Sequence, residues 1–256
     1  LPPRDGSYQL GKSRTVIVHE INRGNWTWCT AWSPDGAYLA VATENHHLAV
    51  VDTTSSTVWR VRHDRKVRGP MQKNSTHSIR SIAWGNKYIA IGGTGNAVSL
   101  LSPLEPYQVL HTIPGTGFVG SLNWRGDSNV LAIGSRLDFA MIVRIRTIGD
   151  EDTPTQSNKR VESEILHQIE YKYWVNSIAF SPDGSCLAVG DYEESDTKAE
   201  TNMITWFKRK GGLLSVDWSP DGKWLYAGGE DRSVTVIDST YWEIVHRIGR
   251  DRWVQC

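Results

Sequence analysis

LLSVDWSPDGKWLYAGGEDRSVTVIDSTYWEIVHRI, residues 213–248, reads as four short strands joined by three turns. Leu214, Val216 and Trp218 alternate with small or polar residues until Ser219-Pro220-Asp221-Gly222 breaks the run. Trp224 to Ala227 follows, and Gly228-Gly229-Glu230-Asp231 turns the chain again. Val234, Val236 and Asp238 mark a third run, Ser239-Thr240 a third turn, and Trp242 to Ile248 a fourth run. Period-two alternation between clusters of Gly, Pro, Asp and Ser predicts antiparallel strands in hairpins. One sheet of this size cannot cover both of its faces, so it needs neighbours.

The rest of the chain supplies them. The same turn recurs as Trp32-Ser33-Pro34-Asp35-Gly36 and Phe180-Ser181-Pro182-Asp183-Gly184, with degenerate forms at Trp84-Gly85-Asn86-Lys87 and Trp124-Arg125-Gly126-Asp127. After each comes an apolar run that ends in a small residue: Tyr38–Ala42, Tyr88–Gly92, Val130–Gly134 and Cys186–Gly190. The anchor aromatics stand at 32, 84, 124, 180 and 218, with spacings of 52, 40, 56 and 38. A repeat of about 40 residues carrying four strands is the period of propeller blades.

On these residues the chain resembles a WD40-repeat protein over nearly its whole length. The resemblance implies an all-β propeller of four-stranded antiparallel blades, with five blades recognisable, a partial terminal blade, and seven as the family's commonest number. It departs from the family in lacking Trp-Asp at the end of any third strand, where Val51-Asp52, Leu101-Ser102, Ile145-Arg146 and Ile237-Asp238 stand. No Gly-His pair precedes a first strand either; Asp231 alone sits where the family's turn aspartate would be.

Residues 1–256 read as a single propeller domain with polar loops near 149–160 and 191–201. Thr15 to Ile21 reads as an outer strand, like Thr57–Arg62, Tyr107–Ile113, Ser163–Ile169 and Glu243–Ile248. Arg252 to Cys256 resembles the start of a first strand, so the two terminal fragments are placed to share a blade. Only Lys208-Arg209-Lys210-Gly211 separates Phe207 from the next first strand, which predicts a blade lacking its fourth strand, or residues missing there. The chain accordingly reads as part of a longer protein.

Lys and Arg balance Asp and Glu at 28 each, which removes any global pull toward nucleic acid or anionic membrane. Three cysteines lie far apart without a C-x-x-C pair, so no disulfide framework or zinc site is indicated. No apolar run approaches the roughly 18 residues of a membrane span, and no signal segment opens the chain. An intracellular setting, cytoplasm or nucleus, is expected. Gly115-Thr116-Gly117-Phe118-Val119-Gly120 matches the dinucleotide glycine pattern but leads into a strand instead of a helix. His46-His47 are strand neighbours that face opposite ways, and the acidic pairs Glu151-Asp152 and Glu193-Glu194 lack an apolar wall. No catalytic set, cofactor or metal ligand is therefore assigned.

Two features point to binding. Counting six residues back from each anchor gives Trp26, Ser78, Phe118, Trp174 and Gly212, with Trp253 in the equivalent terminal place. Two residues on stand Trp28, Arg80, Gly120, Asn176, Leu214 and Gln255. The resemblance places these at one end of the central channel, the face that most often takes peptides. Trp, Tyr and Arg dominate interface hot spots, so Trp26, Trp28, Arg80, Phe118, Trp174, Asn176 and Trp253 are candidate protein-binding residues; gap-filling between blades competes with that role. The second feature is basic: Arg62, Arg65, Lys66 and Arg68, joined by Lys208, Arg209 and Lys210, are candidate anion-binding residues. The expected function is a non-catalytic scaffold for protein or peptide partners in a multiprotein complex. The alternative is an RNA-, nucleic-acid- or phosphate-binding subunit of a larger assembly.

Overall fold

A computed structural model of the chain describes residues 27–43, 47–55, 58–62, 78–104, 107–126, 129–148, 160–191 and 211–254. Among these there is no helix; every regular element is a strand. The first blade runs β1 (Thr27–Trp32), β2 (Tyr38–Thr43), β3 (His47–Asp52), β4 (Val58–Arg62), each strand pairing antiparallel with the next. The second repeats the order as β5 (Ile79–Trp84), β6 (Ile89–Gly93), β7 (Ala97–Leu101), β8 (Val109–Pro114). The third is β9 (Val119–Trp124), β10 (Val130–Ser135), β11 (Phe139–Ile148), β12 (Arg160–Glu170). The fourth shows β13 (Val175–Phe180) paired with β14 (Leu187–Asp191), and the fifth is β15 (Leu213–Trp218), β16 (Trp224–Gly229), β17 (Ser233–Asp238), β18 (Glu243–Gly249).

All five anchor aromatics close the first strand of their sheet and pair across to an aliphatic residue: Trp32 to Leu39, Trp84 to Ile89, Trp124 to Leu131, Phe180 to Leu187, Trp218 to Leu225. The Ser-Pro-Asp-Gly turns explain why the strand stops there. Gly36 donates its N–H to the Ser33 carbonyl while the Ser33 hydroxyl takes the Tyr38 N–H and donates to Asp35. The turns at Ser181 and Ser219 repeat this pattern, and the turn glycines sit at positive φ of 69 to 72°, where glycine pays no steric cost.

The first strands lie side by side in the series β1, β5, β9, β13, β15. The core is consequently split among the seams between blades. One apolar cluster joins blades one and two around Leu48, Ile82 and Ile91, and the next joins two and three around Val98, Leu131 and Ile133. Others join three and four around Ala132, Val175 and Ile178, and four and five around Ala179, Trp218 and Leu225. The small residue at the end of each second strand has its reason here: a Cβ on Gly92 would come within 2.8 Å of Val119, and one on Gly134 or Gly228 within 2.7 Å of Val175 or Val254. Val254 thus seats on blade five as the first residue of a further first strand would, and its N–H reaches the Gly229 carbonyl at 3.1 Å.

The outer strand expected over Tyr107–Ile113 begins instead at Val109. Tyr107 takes a left-handed turn (φ 53°), buries, and meets Trp84 edge-on with centroids 6.5 Å apart. The strand expected over Ser163–Ile169 extends over Arg160–Glu170 because it follows the long β11 to its end. The readings for Thr15–Ile21, for 63–68 and 208–210, for the shortened blade before 211, and for most of both polar loops fall outside the described residues.

Candidate functional site

Each first strand carries a β-bulge one residue after its start. The ladder slips between Thr27 and Cys29, Ile79 and Ser81, Val119 and Ser121, Val175 and Ser177, Leu213 and Ser215. The extra residues are Trp28, Arg80, Gly120, Asn176 and Leu214, the positions the sequence had put at the mouth of the channel. A bulge frees one residue from the ladder and re-aims its side chain. The residue after it ties neighbouring blades together: the Ser121 hydroxyl takes the Ile178 N–H at 3.1 Å and the Ser177 hydroxyl the Val216 N–H at 3.0 Å. In the first blade that place is Cys29, whose thiol burial pushes up to about 12, against the lowering pull of the Ile82 N–H and the Arg80 charge.

On this stapled frame Trp28, Arg80, Phe118 and Trp174 lie at one end of the ring. The Arg80 guanidinium lies over the Trp28 ring, 3.4 Å from its centroid, and its Nε donates to the Ser78 hydroxyl at 3.2 Å. Ser78 is anchored in turn by its own N–H on the Thr94 hydroxyl at 3.0 Å. Arg136, in the turn after β10, lies 4.5 Å from the Phe118 centroid and 5.3 Å from that of Trp174. Its main-chain N–H holds the Phe118 carbonyl at 2.8 Å, so the backbone sets the stack. Burial, and then the nearby Arg80 charge, pull the Arg136 pKa below the usual guanidinium value. Its Nε is buried with no hydrogen-bond partner. Side chains from four consecutive blades, Trp28, Arg80, Phe118 with Arg136, and Trp174, therefore form one row.

Beside this row Leu137 is 61% exposed and lies over Gly117, while Trp174 is 47% exposed. Phe118 is half-buried, so the aromatics at these positions both fill the seam and face outward. Asn176 turns to the fifth blade, its Nδ2 3.5 Å from the Leu213 carbonyl. Trp253 is 61% exposed at the equivalent place before Val254 but shows no ring or cation contact with the row. Trp26 lies outside the described residues, as do Arg65, Lys66, Arg68, Lys208, Arg209 and Lys210, and Arg62 is placed only as the last residue of β4.

Sequence reading missed Arg136. The corresponding turn positions hold Thr94 and Glu230, each following its second strand as Arg136 follows β10. Superposing those turns singles out the arginine, but only the fold puts it between two aromatic rings. At the opposite end a cleft of about 400 Å³ is lined by Trp32, Trp84, Asn86, Asn123 and Trp124 and contains no titratable side chain. Hydroxyl and backbone hydrogen bonds hold the turn carboxylates Asp35, Asp183 and Asp221 below the usual range, Asp183 at about 2.

Radially ordered four-stranded meanders, joined first strand to first strand and carrying a cation–aromatic row at one end, define a β-propeller. The chain carries WD40 repeats: the WD domain, G-beta repeat family model matches residues 13–52, 164–198 and 203–238. It is similar to "Cell division cycle 20.1, cofactor of APC complex" of Arabidopsis thaliana, at 27% identity over 186 residues, which is 70% of this chain and 36% of that protein. A chain in the crystal structure of a mitotic checkpoint complex shares the fold, with a TM-score of 0.64 at 20% identity, over 86% of this chain and 64% of that one. The chain thus spans about a third of the length of the curated relative it matches.

Proposed function

We propose that the chain is a non-catalytic adaptor that holds protein segments against the end of the ring carrying Trp28, Arg80, Phe118, Arg136 and Trp174. The observation that carries this reading is the continuity of that row across four blades, with Trp174 and Leu137 left exposed beside it. Aromatic and arginine side chains on a rigid frame lose little conformational freedom on binding, which is what interface anchors require. The likeness to a cofactor of the APC complex supports a role inside a multiprotein assembly and an intracellular site of action. The basic residues on which nucleic-acid binding rested lie outside the described residues, apart from Arg62, so no observation favours that second reading.

The test is a capture experiment from lysate, quantified by mass spectrometry, with a comparison between the two ends of the ring. Trp28→Ala and Trp174→Ala are expected to weaken specific partners by about 30-fold, since loss of an anchor costs about 2 kcal/mol or more. Lys223→Ala, at the opposite end, serves as the control. Equal retention by the Trp28, Trp174 and Lys223 variants would show that this end is not the binding face.

A further inference from the structure

The charge of Arg80 acts on Arg136, and no acid among the described residues forms a salt bridge with either. The salt bridges formed among the described residues use Arg144, Arg146, Arg160 and Lys223. Arg80 and Arg136 take part in none of them, although the whole chain holds as many acids as bases. Both guanidiniums are fixed on aromatic faces, and Arg136 has its Nε sealed from solvent without an acceptor. Arg136 is half-buried, so holding its charge without an acid partner costs free energy that a ligand anion would recover.

We propose that Arg80 and Arg136 together receive a carboxylate side chain, Glu or Asp, of an extended segment of a partner protein, and that an apolar residue beside it covers Trp174 and Leu137. The inference rests on the adaptor reading and names what that end of the ring recognises. Guanidiniums held against the rings keep their terminal nitrogens as donors, and a planar carboxylate matches an arginine fork. A nucleic-acid strand is read through several cations along its backbone, whereas here two arginines lie against the rings of Trp28, Phe118 and Trp174. Mixed apolar and carboxylate chemistry fits the surroundings best.

The probe is a set of ten-residue peptides with a central Leu-Glu-Leu or Phe-Glu-Leu, matched one for one by Gln and by phosphoserine at the central position. Affinities are read by fluorescence anisotropy against the full chain. The Glu peptides are expected to bind at least tenfold tighter than their Gln counterparts, the span of a charge-assisted hydrogen bond. Arg80→Gln and Arg136→Gln should each erase that difference, while Arg136→Lys, which keeps charge but loses the fork, should retain part of it. Thermal midpoints of every variant separate lost binding from lost folding, and Arg80→Gln with the Arg136→Lys comparison carries the test if Arg136→Gln unfolds. Equal binding of Glu and Gln peptides, binding only of the phosphoserine set, or no binding of Glu peptides up to about 1 mM would each overturn the proposal. Equal Glu and Gln binding that is still lost on Trp174→Ala would do so while leaving the adaptor reading intact.

Discussion

Trp218→Phe and Trp32→Phe form a matched pair, because the two indoles occupy the same register of their blades and differ only in what lies beside them. Trp218 is 8% exposed, and its Nε1 donates across the seam to the Ala179 carbonyl at 3.1 Å. Trp124 makes the equivalent bond to Ala83 at 3.0 Å. Phe at 218 leaves a buried carbonyl without its partner, worth about 1–3 kcal/mol, and gives up two buried ring carbons at about 0.8 kcal/mol each. The expected loss is about 3 kcal/mol, or roughly 6–12 °C in Tm for a chain of this size. Trp32 is 58% exposed and makes no such bond among the described residues, so the same change there should cost under about 1 kcal/mol. Differential scanning calorimetry or a fluorescence-detected melt reads both. Similar shifts at the two positions would refute the claim that the indole staples one blade to the next, and would assign the effect to ring size alone.

Gly134→Ala puts a methyl 2.7 Å from the Val175 Cγ1 on the adjoining blade, so it should destabilise by about 1–3 kcal/mol in urea titrations. Gly115→Ala is a different probe, with nothing within 4 Å but a φ of 75°, so any cost there is backbone strain alone. Acid should loosen the serine–aspartate turns. Asp183 is held at about 2 by hydrogen bonds from Ser181 and Ser185, below its ordinary 3.8, so its contribution is complete above about pH 4 and disappears as pH falls through 2. Stability measured between pH 5 and 2 should drop less steeply for Asp183→Asn than for the native chain, and identical slopes would contradict the assignment.

The architecture was legible because repetition multiplies a weak local signal. A single Trp-Ser-Pro-Asp-Gly turn is only a turn, but five anchors at like intervals demand five like sheets, and Trp32, Trp84, Trp124, Phe180 and Trp218 all close first strands. The small residues at the ends of the second strands were visible as a pattern. Their cause, the approach of Val119, Val175 and Val254 from the next blade, belongs to the ring and to no single repeat. Of the candidate site, Trp28, Arg80, Phe118, Trp174 and Asn176 were singled out by counting from the anchors. Arg136 was not, since its place comes from Phe118 on its own blade and Trp174 on the next, 38 positions further along the chain than Arg136. Local alternation carries no information about which turn meets which rim.

The location of the row follows from how the ring uses its positions. Within a repeat the anchor must fill a seam, the end of the second strand must be small, and the residue after the bulge must reach the next blade, as Ser121 and Ser177 do. Those demands fix side-chain identity. The bulge residue is under a weaker one: the backbone sets the direction of its side chain and leaves its chemistry open, which is why Trp, Arg, Gly, Asn and Leu all occur there. At Gly120 even that freedom is withdrawn, because a Cβ would stand 2.8 Å from the Val175 carbonyl. The third blade therefore offers no side chain at the bulge and contributes Arg136 from the turn after its second strand instead. On the proposed function, recognition falls to bulge and turn, the two places in the meander where packing between blades does not dictate the residue, and a change of partner there would leave the seams that hold the ring undisturbed.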